Sequence, residues 1–133
     1  MTEATEYHPL YLRGIDFFNR CEFFESHEAW EELWADNFGA SRKFLQGLIQ
    51  AAVALHHFGN GNLGGARKLF YGSRGYLEPY RPVYMGLNVD KFLTEMKSCF
   101  AEIIDPIAAD RPKVEIVPDL IPEIHLDPPA PAE

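Results

Sequence analysis

Between Phe23 and Phe58 the chain sets imidazole, carboxylate and carboxamide groups at helical spacing among apolar and aromatic residues. His27, Glu28 and Glu31 lie in the run Phe23-Phe24-Glu25-Ser26-His27-Glu28-Ala29-Trp30-Glu31-Glu32-Leu33-Trp34, and Gln46, Gln50, His56 and His57 lie between Phe44 and Phe58. An imidazole and a carboxylate four residues apart on a helix can touch. Such a pair can hold and pass a proton, or with a second imidazole can ligate a divalent metal. Buried polar groups are costly unless they satisfy one another or hold something.

At about 100° per residue, Phe23, His27, Trp30, Glu31 and Trp34 share one face of the first segment, with Glu28 at its flank. On the second segment Gln46, Gln50 and His57 fall within about 40° of one another, while His56 points about 100° away. The aromatics should face inward and draw His27 and Glu31 with them. His27, Glu31, Gln46, Gln50 and His57 are therefore expected to converge in a buried polar pocket. Three readings follow. One is a closed hydrogen-bond network that fixes helix register. Another is a metal site of His27, Glu31 and His57, whose donor set suits zinc, iron, manganese or nickel. The third is a small-ligand pocket or a hydrolase-like acid–base site, with His57 or His27 as base and Glu31 orienting it.

Familiar catalytic signatures do not match. His27-Glu28-x-x-Glu31 carries Glu where the zinc-protease motif has its second His. The paired Glu-x-x-His motifs of di-iron bundles are absent. Gly59-Asn60-Gly61-Asn62-Leu63-Gly64-Gly65 precedes a helix bearing Arg67 and Lys68, which reads as a tight turn before it reads as an anion site. Ser41 and Ser73 have no nucleophile context.

The elements that must position these groups are helices. Pro9 suits a first turn, and a helix follows with Leu10, Phe17, Phe18 and Cys21 on one face. The spacing predicts a second helix over 23–36 and a third over 42–58, with Ser41 as N-cap. From Phe44 to Phe58 the third has no charged side chain, so it should be central. A fourth helix spans 63–77 and a fifth 89–104, capped by Asn88 and ended by Pro106. No internal repeat is visible. The reading is a single-domain all-α bundle of about five helices over residues 1–106. An extended Pro-rich tail over 107–133 should be packed to about residue 126 and loose beyond. The tail finds its place on this chain or on a partner subunit, so a homo-oligomer stays open.

With 133 residues, 47% of them hydrophobic, the chain suits one domain with a sizeable core. A net charge of -8 argues against nucleic acid, which calls for a basic face. No run is long and apolar enough for a membrane span, and residues 1–20 lack the apolar core of a signal peptide. Cys21 and Cys99 form no metal spacing and read as buried reduced thiols, which suits the cytoplasm.

The motifs Phe18-Asn19, Phe24-Glu25-Ser26-His27-Glu28-x-x-Glu31-x-x-Trp34, Phe44-Leu45-Gln46-Gly47-Leu48-Ile49-Gln50, Ala54-Leu55-x-His57 and Gly61-Asn62-x-Gly64-x-Ala66 occur in that order. Over residues 9–104 the chain resembles the domain of unknown function 309 family. The resemblance implies a small all-helical bundle and carries no established activity. It implies that His27, Glu28, Glu31, Trp34, Gln46, Gln50 and His57 are the shared feature. Family members often have one glycine where this chain has Gly64-Gly65.

Overall fold

The computed structural model describes residues 7–104 and 114–127. Six helices follow one another: α1 (Pro9–Asn19), α2 (Phe23–Ala35), α3 (Arg42–Gly59), α4 (Leu63–Leu77), α5 (Val89–Cys99) and the short α6 (Ala101–Ile104). Between α4 and α5 stands a small antiparallel hairpin of β1 (Val83–Tyr84) and β2 (Leu87–Asn88). Among the described residues the fold is thus all-α apart from that hairpin, as the periodicity predicts. Among the described residues no helix is long and apolar enough to cross a membrane.

Local chemistry explains most boundaries. Pro9 opens α1, and the imidazole of His8 accepts from the Leu10 amide. The Asn62 side chain accepts from Gly65 N–H at the start of α4, and Asn88 does the same for Lys91 at α5. Two details differ from expectation. Ser41 holds the N-cap position of α3 as expected but does not cap with its side chain: its backbone is already helical, and its hydroxyl accepts from Asn37 Nδ2 at 2.8 Å. The fifth helix breaks at Phe100, whose ring is fully buried against Phe58 and Phe70 and leaves α6 as a separate turn.

The core forms around α3. Phe44, Leu45, Leu48, Ala51, Ala52, Ala54 and Leu55 have no exposed surface. The α1–α2 and α3–α4 hairpins are clasped by one device. The Ser26 hydroxyl of α2 donates to the Gly14 carbonyl of α1 at 2.8 Å, and the Trp30 indole covers Gly14 so closely that a methyl there would overlap it. In the second hairpin Ser73 of α4 donates to the Gly47 carbonyl of α3 at 2.8 Å, and Leu77 covers Gly47. The clasps share a six-residue pattern, Ser26-His27-Glu28-Ala29-Trp30-Glu31 and Ser73-Arg74-Gly75-Tyr76-Leu77-Glu78: serine, histidine or arginine, two spacers, large apolar residue, glutamate. The chain does carry a local repeat, too short to stand out before Gly14 and Gly47 are seen beneath it.

Residues 114–127 run extended over the helices, with a 3-10 turn at Pro118–Leu120. Ile124 and Pro122 are buried, whereas Val117 and Leu120 stay exposed. The expectation for the end of the chain falls on 128–133, outside the described residues. Cys99 is buried, and burial pushes its thiol up to about 12; Cys21 is exposed, against the sequence reading, and both are free.

Candidate functional site

Helix α3 shows two opposed rows. Phe44, Leu48, Ala51, Leu55 and Phe58 are buried, and Gln46, Gln50, Val53 and His57 on the other side are half-buried. The polar row faces outward on a helix that packs against both α2 and α4. Phe24 of α2 meets the His56 ring at 5.8 Å on one flank. On the other flank the Gln50 carboxamide oxygen lies where a β-carbon of Gly72 in α4 would stand. Only glycine at position 72 lets the amide approach α4 so closely.

The expected buried pocket is therefore corrected to a half-open polar face. His27 keeps 19% side-chain exposure and Glu31 keeps 56%. His27 Nδ1 lies 3.0 Å from the Phe24 carbonyl, which can only accept, so that nitrogen carries the proton. Nε2 is then directed to Glu31 at 3.6 Å, an ion pair whenever the ring is protonated. Glu28 is exposed and borders a surface cleft between α1 and α2, lined also by Arg13, Glu25, Glu31 and Glu32. His57 Nδ1 meets Asn62 Nδ2 at 3.4 Å, and its ring lies 6.1 Å from that of His56. Among the described residues no group of three or more His, Cys, Asp or Glu side chains is arranged to hold a metal ion, so His27, Glu31 and His57 do not form the trio that a metal requires. The closed network is corrected too. The Gln50 Oε1 and Trp34 Nε1 atoms are buried and have no hydrogen-bond partner.

His56, and not His57, is the imidazole that reaches the α2 side. A wheel gives the angle between the two rings, about 100°, but not which of them meets the neighbouring helix. Arg42 also belongs to this face. Its guanidinium stacks on Trp34 at 3.8 Å and on Phe38 at 4.8 Å, and Nη1 donates to the carbonyls of Trp34 at 2.9 Å and Asn37 at 3.0 Å. That arrangement closes the C-terminus of α2 with a cation, where the helix dipole favours one, and fixes the Trp34 ring. The sequence signal was an arginine eight residues beyond the aromatic end of a helix. Phe38 is left 80% exposed.

A small α-helical domain with serine-clasped hairpins and an outward polar row on its central helix is what the fold and these residues define. Residues 11–69 match the model of the Domain of unknown function (DUF309), and the chain belongs to that family. The chain is also similar to the Uncharacterized protein YpuF of Bacillus subtilis (strain 168), at 35% identity over 92 residues. That match covers 67% of this chain and 53% of the relative, so the chain spans about half the length of this relative.

Proposed function

We propose that the protein is a cytoplasmic binding module whose site is the outward row of α3, Gln46, Gln50 and His57, walled by Phe24, His27, Glu31 and Trp34. The observation that carries this reading is the unpartnered Gln50 Oε1, held against Gly72 beside a half-exposed row of carboxamide and imidazole groups. A buried acceptor without a donor costs on the order of 1–3 kcal/mol. The last torsion of a glutamine is broad, so a small rotation brings the oxygen to an incoming N–H or O–H. Trp34 Nε1 is a donor in the same unpaired condition. The ligand that fits is a small polar molecule offering both a donor and an acceptor, with Phe24 as a flat apolar edge. Two free thiols accord with a reducing compartment. A hydrolase-like site built on His27, Glu31 and His57 is less well supported, because His57 is engaged with Asn62 and the Ser26 and Ser73 hydroxyls are committed to glycine carbonyls.

The test is NMR on isotopically labelled full-length chain, with the Gln46 and Gln50 carboxamides and the Trp34 indole as reporters. Acetamide, acetate and zinc chloride are the probes in separate titrations. Saturable shifts from acetamide converging on those three groups, and lost in Gln50→Ala, support the reading. Shifts spread evenly over the surface, or unchanged in Gln50→Ala, overturn it. A saturable zinc response centred on His27 and His57 would replace it with the metal reading.

A further inference from the structure

We infer that the face built from α1, the β-hairpin and α5 is a receptor for an extended peptide of the pattern Pro-x-Ile-x-Leu, filled here by the chain's own residues 122–126. The segment lies as a recognised peptide lies. Its side chains alternate: Pro122 and Ile124 are buried and Leu126 is half-buried, while Glu123, His125 and Asp127 point to solvent. Its backbone is read by a side chain. Asn19 Nδ2 donates to the Ile124 carbonyl at 2.8 Å, and Asn19 Oδ1 accepts from the Ile124 amide at 2.8 Å. One carboxamide thus makes both bonds of a β-ladder pair. Only this orientation of the amide satisfies both.

One end of the segment is held the same way. The Asp127 amide donates to the Gly86 carbonyl at 2.9 Å, and the Tyr7 hydroxyl donates to the Asp127 carbonyl at 2.7 Å. All four of these bonds go to main-chain atoms of the segment and leave residue identity unread, whereas the Ile124 side chain, only 2% exposed, is read by its pocket. Main-chain bonds with pockets for alternate side chains are how proteins recognise extended peptides. The segment is not sealed along its length. A cleft of ≈ 500 Å³ separates Lys91 and Glu95 of α5 from Asp119, Glu123 and His125. An occupant held through its main chain and open along one edge can be exchanged for another of the same pattern.

The receptor is tested with the full-length chain and a fluorescein-labelled synthetic peptide of residues 114–127. Ile124→Arg in the full-length chain puts a charge where the pocket takes a buried aliphatic group, and releases the chain's own segment. A tethered occupant competes at an effective concentration on the order of millimolar, so its release should tighten binding of the added peptide at least about tenfold over the unmodified chain. The same peptide carrying Ile124→Arg should not bind, and adding Asn19→Ala to the released chain should weaken binding by about tenfold or more. If the released chain keeps its helical circular dichroism and binds the peptide no better than the unmodified chain, or binds a scrambled peptide equally, the inference is wrong. Should Ile124→Arg fail to fold, Ile124→Ala replaces it and must still bind the peptide more tightly than the unmodified chain does.

Discussion

The two helical hairpins carry the same clasp and fill it differently. In α1–α2 the glycine is covered by an indole, whose Nε1 also donates to the Tyr11 carbonyl at 3.1 Å. In α3–α4 it is covered by Leu77, an apolar and more adaptable group. The first clasp is therefore polar as well as packed, and rigid. The second relies on close helix approach through Gly47, Ala51 and Ala54. The residues that follow each clasp repeat as well: His27–Glu31 in one hairpin and Arg74–Glu78, at 3.3 Å, in the other. What the difference teaches is that register and surface charge are separable. The serine and the apolar residue set register, and the histidine or arginine one step further round the helix takes whatever surface that register exposes.

The sharpest way to break the comparison is to fill both glycines. Gly14→Ala drives a methyl into a flat ring that cannot give without losing its bond to Tyr11. It should cost about 3 kcal/mol or more, against about 1–2 kcal/mol for Gly47→Ala, where leucine can change rotamer. Urea denaturation of both variants measures this. Equal losses would mean that Trp30 and Leu77 adapt equally well. Next come the serines. Ser26→Ala and Ser73→Ala each remove the second donor from a glycine carbonyl that keeps its own helical bond, at about 1 kcal/mol apiece. Losses within about 0.5 kcal/mol of each other support one shared device. A silent Ser73→Ala would reduce the second clasp to simple packing. The smallest effect belongs to the glutamates. Glu31 and Glu78 are both about half exposed, so Glu31→Ala and Glu78→Ala should each cost about 0.2–0.5 kcal/mol. A buried Glu31 would have cost several times more. Salt should erase the Glu78 effect at any pH where the carboxylate is charged, since Arg74 stays protonated throughout, while the His27 pair exists only with a protonated ring.

Local signals were readable where the physics is local. Pro9 and Asn88 marked helix starts because their chemistry acts within three residues, and α4 runs over the residues expected of it, Leu63–Leu77. The uncharged stretch of α3 announced a central helix. What could not be read needed a neighbour. The same wheel that grouped Gln46, Gln50 and His57 is silent on whether that row meets a helix or water. It is half-exposed because the opposite row, Phe44, Leu48 and Leu55, takes the core. Aromatic company suggested that Glu31 was buried. Yet Trp30 turns toward Gly14 and α1, and Glu31, about 100° further round, faces outward. Pro122-x-Ile124-x-Leu126 did carry a period of two, hidden by the prolines and acids around it.

Gly86 has a backbone φ of +77°, and a β-carbon there would strike the Tyr7 hydroxyl and the Asp127 carbonyl. That glycine is where residues 7 and 127, separated by 120 positions in sequence, come into contact. In topological terms the chain between them is nearly a closed ring. A short linker joining those two residues would cross a gap that a hydrogen bond already spans. The ring could then be reopened in the exposed Gly59-Asn60-Gly61-Asn62 turn, giving a circular permutant that keeps both serine clasps intact.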